Sequence, residues 1–259
     1  MEEQNLESYQ GFAAVYDELM DNVPYDEWAK GYVQILERYG IRDGLICDLA
    51  CGTGSMTLEL AGRGYDMIAV DRSPEMLSQA AEKLGGFSPA PLLVCQPLEE
   101  LDLYGTSDAA VCTLDGMNYI TRDSLAAVFR RIRLFLNPGG ILVFDCLSEQ
   151  ALREMDGQIS LDEKDDVFCV WRSEYDGAER SCSYYMDIFE RSGSVWRRDS
   201  EEHTEYAHSE DELRAALSAG GFSEIRFFAD RRMEEPGGGD RRFFCAARKP
   251  IGTEHLENG

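Results

Sequence analysis

Leu45-Ile-Cys-Asp48-Leu-Ala50-Cys51-Gly52-Thr-Gly54 concentrates more potential chemistry than any other stretch of the chain. An apolar run ends on a carboxylate and opens directly into a glycine loop. A second apolar run, Met67-Ile-Ala-Val-Asp71, ends on another carboxylate and passes into Arg72-Ser-Pro. Glycine at 52 and 54 lets a backbone approach a ligand with no Cβ in the way. Loops of this kind often cradle phosphate, because backbone N–H groups and a helix N-terminus attract anions. Asp48, placed just before the loop, would repel a diphosphate and suits a ligand whose near end is an ammonium or a sulfonium. Asp71, at the end of the next strand, is placed to accept hydrogen bonds from ribose hydroxyls. The plainer readings are a tight strand–helix turn for the glycines and a helix cap for Asp48. Motif, spacing and strand–loop–helix context together favour the ligand.

The surrounding pattern supplies the elements that hold these groups. Apolar residues at helical spacing mark 7–21 (Phe12, Val15, Tyr16, Leu19) and 25–39 (Trp28, Tyr32, Ile35, Leu36). Strand 44–49, helix 54–63 and strand 66–71 follow, then a helix with Ser73 as N-cap and Pro74 at its first position. Strands 91–95, 107–114 and 140–146, with a helix at 121–136, continue an alternation that implies a mostly parallel sheet with right-handed crossovers. The pattern changes near residue 166. Val167 to Tyr175, Ser183 to Phe189 and Val195 to Tyr206 are rich in aromatic and β-branched residues, separated by the turn signals Asp176-Gly177 and Ser192-Gly193. They predict a three-stranded antiparallel insert. A helix at 210–219 and strands at 222–228 and 241–247 close the chain.

A length of 259 residues, 44% hydrophobic, supports one well-filled core or one core with a small appendage. A formal net charge of −24 opposes binding to nucleic acid or an anionic membrane, both of which rely on Lys and Arg. No apolar stretch reaches the roughly 18 residues of a membrane helix. The acidic N-terminus lacks a signal core, so a cytoplasmic location is expected. The eight cysteines lie mostly in apolar runs and no Cys-x-x-Cys pair occurs, so they are read as reduced and buried, with no metal site.

A nucleoside with a cationic tail is S-adenosylmethionine, and here a resemblance enters. Asp48-Leu-Ala-Cys-Gly-Thr-Gly54 followed by Asp71 resembles the first two motifs of class I S-adenosylmethionine-dependent methyltransferases. Phe12-Ala-Ala-Val-Tyr16, Val23-Pro-Tyr-Asp-Glu-Trp28, Asp115-Gly-Met-Asn118-Tyr119 and Pro138-Gly-Gly-Ile-Leu-Val-Phe-Asp145 resemble a bacterial branch acting on small molecules, amino-sugar N-methyltransferases among them. The resemblance implies a Rossmann-like α/β fold: a seven-stranded, mostly parallel sheet with an antiparallel last strand and an antiparallel β lid. Residues 1–249 would form one domain: 1–40 helices over the cofactor, 41–149 the core, 150–207 the lid, 208–249 a final helix and hairpin. Residues 250–259 would be a tail.

It also implies site residues. Asp48, Ala50, Gly52, Gly54, Asp71, Arg72, Gln96 and Leu114 would surround the cofactor, with Met76 and Leu98 against adenine and Tyr9 and Tyr16 closing over it. The last two could equally be a core stripe. Where the family usually has an acid for the adenine amine, this chain has Pro97, which offers neither carboxylate nor N–H. Cys51 is taken as structural. On the acceptor side, Asn118 and Tyr119 would touch substrate, Asp115 would hold a cation or take a proton, and His203 is the best general-base candidate. Glu205, Tyr206 and His208 replace residues usual in the family's lid and suggest a different acceptor. Acidic Glu201, Glu202 and Glu205 suit an amine.

The expected activity is therefore N- or O-methylation of a small molecule by a monomer or homodimer. A nicotinamide oxidoreductase is disfavoured by Asp48 and the missing third glycine. A protein or RNA methyltransferase and a non-catalytic cofactor-binding module remain as alternatives.

Overall fold

The computed structural model describes residues 12–229, 234, 237 and 239–252. Two helices come first, α1 (Phe12–Leu19) and α2 (Tyr25–Arg38). Strands and helices then alternate: β1 (Leu45–Leu49), α3 (Ser55–Ala61), β2 (Asp66–Asp71), α4 (Pro74–Leu84), β3 (Leu92–Cys95), β4 (Ser107–Cys112), α5 (Leu125–Leu134) and β5 (Leu136–Leu147). After α6 (Glu149–Glu154) the chain builds β6 (Ile159–Glu163), β7 (Val167–Asp176), β8 (Ser181–Ser192) and β9 (Val195–Tyr206). It returns through α7 (Glu210–Ala219), β10 (Ser223–Phe228) and β11 (Arg242–Arg248).

The first sheet has the order β10-β11-β5-β4-β1-β2-β3, with β11 antiparallel to both neighbours and the other strands parallel. Its central strands are buried on both faces, as their continuous apolar runs require. One apolar cluster lies under α5 and α7 (Val128, Phe129, Leu213, Leu217), another under α2 and α3 (Tyr32, Ile35, Met56, Leu60). Local chemistry sets the boundaries. Ser73 caps α4, accepting from Met76 N–H at 3.1 Å ahead of Pro74, and Ser209 with Glu212 forms a capping box on α7.

The second sheet, β6-β7-β8-β9, is antiparallel throughout. It has four strands, not the three expected. The extra one, β6, is a short edge strand that leaves Ile159 and Leu161 exposed, so burial writes no inward face into its sequence. A third cluster joins this lid to the core: Ala13, Val15 and Leu19 of α1 and Met76 of α4 pack with Val167, Cys169, Met186 and Ile188. Among the described residues no helix is long and apolar enough to cross a membrane.

Candidate active site

The carboxyl ends of β1, β2, β3 and β4 open into a cleft of about 760 Å³, within the range of small-molecule sites. Ala50, Cys51, Gly52 and Thr53 form one wall. Asp71 holds this loop: Oδ2 accepts Gly52 N–H at 2.8 Å and Oδ1 accepts Ser73 N–H at 2.9 Å. Burial raises its pKa. Gly52 has φ +54, and a Cβ built there would meet nothing within 4 Å, so the space beside it lies open for a ligand. The loop is pinned from outside as well. Thr53 Oγ1 donates to Asp17 of α1 at 2.7 Å, and Lys83 Nζ reaches Asp17, Thr53 and Ser55.

Asp48 sits behind that wall, fully buried. Oδ2 accepts from Thr57 Oγ1 at 2.6 Å, while Oδ1 has no partner among the described residues. Burial pushes its pKa up to about 7. A cationic group settling on the Ala50–Thr53 loop would supply the charge partner that this oxygen lacks.

Arg72, Met76, Gln96, Pro97, Leu98 and Leu114 line the cleft, as does Tyr16. Tyr9 lies outside the described residues. The Gln96 side chain is partly committed, since Oε1 accepts Asp102 N–H at 2.9 Å. Gly54, at φ +77, is absent from the cleft wall, and a Cβ there would stand 3.0 Å from Ala80 Cβ. Glycine there lets α3 and α4 approach closely. Cys51 lines the cleft, but burial holds its thiol well above the ordinary range, which disfavours a thiolate nucleophile.

The acceptor side is organised by residues that sequence reasoning missed. Asp145, fully buried on β5, accepts Leu114 N–H at 2.8 Å, Asp115 N–H at 3.0 Å and the Tyr32 hydroxyl at 2.5 Å. Leu114 and Asp115 both have positive φ, +54 and +61, a strained turn that these bonds secure. Arg242 of β11 pairs with Asp145 and, at 2.6 Å, with Asp115, its guanidinium 5.2 Å over the Trp28 ring. Arg242, the second of two arginines opening the apolar run Phe243-Phe-Cys-Ala-Ala, was the available signal, since a cation set into an apolar strand needs a buried partner.

Asp115 lines the cleft with its charge already paired. Asn118 does not line it. Fully buried, it donates from Nδ2 to the carbonyls of Leu147 (3.2 Å) and Tyr206 (3.0 Å), and its Oδ1 accepts Leu147 N–H at 3.0 Å. The substrate-binding expectation for Asn118 is therefore corrected: every polar atom of its amide is a strut between core and lid. Tyr119 does face the cleft, edge to face with His203 at 6.2 Å.

His203 projects from β9 into the same space, and its Nε2 lies 3.2 Å from Glu201 Oε2. Strand alternation puts the two on one face. The tautomer that satisfies this contact carries its proton on Nε2 and its lone pair on Nδ1. Glu205, next on that face, is not part of the wall. It packs against Asp115 and accepts from Tyr184 Oη at 3.3 Å. Burial, then the Asp115 carboxylate, push it well above the usual carboxylate range, which favours the protonated form. The expectation that Glu205 attracts an amine is corrected accordingly. His208, buried beyond the strand end, is driven down to about 4 by desolvation and is neutral at pH 7.

A seven-stranded sheet of this order, with a loop-lined cleft at its strand ends and an antiparallel lid, defines a class I S-adenosylmethionine-dependent methyltransferase. Residues 46–140 match the family model described as "Methyltransferase domain". A Bacillus subtilis (strain 168) protein, "Putative methyltransferase YqeM", is 34% identical over 93% of this chain and 97% of its own length, and the chain belongs to the same methyltransferase family. An S-adenosylmethionine-dependent methyltransferase from Clostridium acetobutylicum ATCC 824 superposes with a TM-score of 0.82 at 28% identity, covering 93% of this chain and 99% of that one. The sugar N-methyltransferase KedS8 from Streptoalloteichus sp ATCC 53650 shares the fold, with a TM-score of 0.75 at 22% identity over 91% and 93% of the two chains.

Proposed function

We propose that the chain methylates a small-molecule amine at nitrogen, with His203 as the proton acceptor. The observation that carries this reading is the buried Glu201–His203 pair facing the glycine loop across the cleft. The residues present also fit the cofactor. Asp48 Oδ1 lacks a partner among the described residues, and the space beside Gly52 is open. Asp71 lines the cleft with lone pairs left for ribose hydroxyls beyond the Gly52 and Ser73 N–H groups it accepts, and Met76 and Leu98 line the cleft where adenine would lie.

S-adenosylmethionine supplies an electrophilic methyl group on a sulfonium. The protein's part is alignment and proton management. Methyl transfer is an in-line displacement, so a fixed cleft supplies much of the acceleration. The Asp145–Arg242 bracket fixes the turn at Leu114 and Asp115. His203 Nδ1 takes the proton that the acceptor nitrogen must lose, and Glu201 orients the ring and stabilises the imidazolium that forms. The Glu201 carboxylate gives this end of the cleft the negative charge that draws an amine. The fold is shared with a sugar N-methyltransferase, in keeping with a small-molecule acceptor.

The test is production of S-adenosylhomocysteine from S-adenosylmethionine across a panel of amines and phenols. Turnover with amines that is lost in His203→Gln supports the reading. Turnover with phenols alone would move the acceptor to oxygen, and no binding of S-adenosylhomocysteine would overturn the assignment of the cleft.

A further inference from the structure

One wall of the cleft is an open strand edge. Among the described residues β9 is the last strand of its sheet, paired only with β8. Two hydrogen bonds fix which of its backbone groups face outward. Ala207 N–H donates to Arg180 C=O at 2.8 Å, so odd-numbered residues exchange ladder bonds with β8. Tyr206 C=O is turned the other way, where Asn118 Nδ2 donates to it. The backbone N–H and C=O groups of Ser200, Glu202 and Thr204 therefore point off the sheet. All three residues line the cleft, yet the side chains of Ser200 and Thr204 are engaged on the outer face. Ser200 Oγ donates to Asp187 at 2.7 Å, and Thr204 Oγ1 meets Ser183 Oγ at 3.1 Å. The backbone makes the wall here, interleaved with the inward side chains of Glu201 and His203.

Natural sheets cover or blunt such edges, because a row of open donors and acceptors pairs with any extended chain. This edge is neither proline-broken nor covered by another described strand, and its row spans about 13 Å at roughly 3.3 Å per residue. We infer that the open edge of β9 at Ser200, Glu202 and Thr204 binds the methyl acceptor, a short extended chain of secondary amides bearing an amine, by β-strand addition. Its repeat matches the edge, two residues per N–H and C=O pair, and its amine lies at the level of Glu201 and His203. The inference rests on the amine reading above and narrows it to peptide-like compounds.

The experiment is calorimetry on the full chain saturated with S-adenosylhomocysteine. Ala-Ala-Ala is compared with the same tripeptide methylated at both amide nitrogens, and with cyclohexylamine. The tripeptide should bind at least tenfold more tightly than either. Glu202→Pro, which deletes one edge donor without touching a ladder bond, should lose that advantage; Glu202→Ala, which deletes only the exposed side chain, should keep it. Equal binding of the two tripeptides, or methylation of cyclohexylamine with no tripeptide binding, overturns the edge and leaves the amine reading standing. No binding of S-adenosylhomocysteine overturns both. Where Glu202→Pro fails to fold by circular dichroism, the methylated tripeptide decides the question on the unaltered chain.

Discussion

The two walls of the cleft are built by different rules. On the core wall, the lining groups come from consecutive residues at strand ends, 50–53, 71–72 and 96–98, and Asp71 there, like the buried Asp145 behind it, accepts backbone N–H groups. On the lid wall they come from one strand, 200–204 and Tyr206, with Glu201 and His203 contributing side chains that alternate with the backbone of their neighbours. A loop wall positions ligand by its shape and is sensitive to glycine and to what braces it. A strand wall is sensitive to single side chains. The division predicts that core substitutions change cofactor affinity or stability and that lid substitutions change turnover.

The largest effect should come from the lid. His203→Gln should lower kcat by a factor on the order of 10²–10⁴, with S-adenosylhomocysteine affinity unchanged by calorimetry. A parallel loss of affinity would break the division. Arg242→Met strikes the bracket between the walls, leaving Asp115 and Asp145 without their cation. It should cost about 3–5 kcal/mol in urea unfolding. On the core wall, Asp48→Asn should weaken S-adenosylhomocysteine binding by roughly ten- to a hundredfold, about 1.4–2.8 kcal/mol, with kcat at saturation little altered.

The same carboxyl gives a pH signature. Its pKa in the folded protein is raised to about 7, so the charge that attracts a cation develops as pH rises through about 7, and affinity should tighten over that interval. The native state holds this proton longer than the unfolded chain does. The ligand-free protein should therefore lose stability as pH rises from about 4 toward 7. The affinity trend should vanish in Asp48→Asn, and the stability trend should weaken but persist, because burial raises Asp71, Asp145 and Glu205 as well. The smallest effects sharpen the glycine contrast. Gly54→Ala should cost roughly 1–2 kcal/mol in thermal unfolding, because left-handed strain is joined by contact with Ala80. Gly52→Ala carries only the strain, and its larger consequence should be weaker cofactor binding.

The alternation of apolar runs and helical stripes made the parallel sheet legible, because a strand buried on both faces leaves a continuous hydrophobic record. The strand–glycine-loop–helix unit carrying Asp48, Gly52 and Asp71 was legible for a related reason, since carboxylates and glycines at strand ends mark where strands stop and loops begin. Asn118 and Glu205 were misplaced. Nothing local distinguishes an amide that bridges core and lid from one that meets a substrate, or a carboxyl buried against another carboxyl from one in solvent. β6 escaped because an exposed edge strand is not shaped by a core.

What the sequence determined alone is the glycine loop and the strands and helix caps around it: one contiguous stretch of about 30 residues carries them, and short-range spacing suffices to read them. Tertiary structure decided the acceptor half. Tyr32, Asp145 and Arg242 meet only when α2, β5 and β11 pack together, and Asn118 bridges β5 to the lid only once both are in place, through distances that no local pattern encodes.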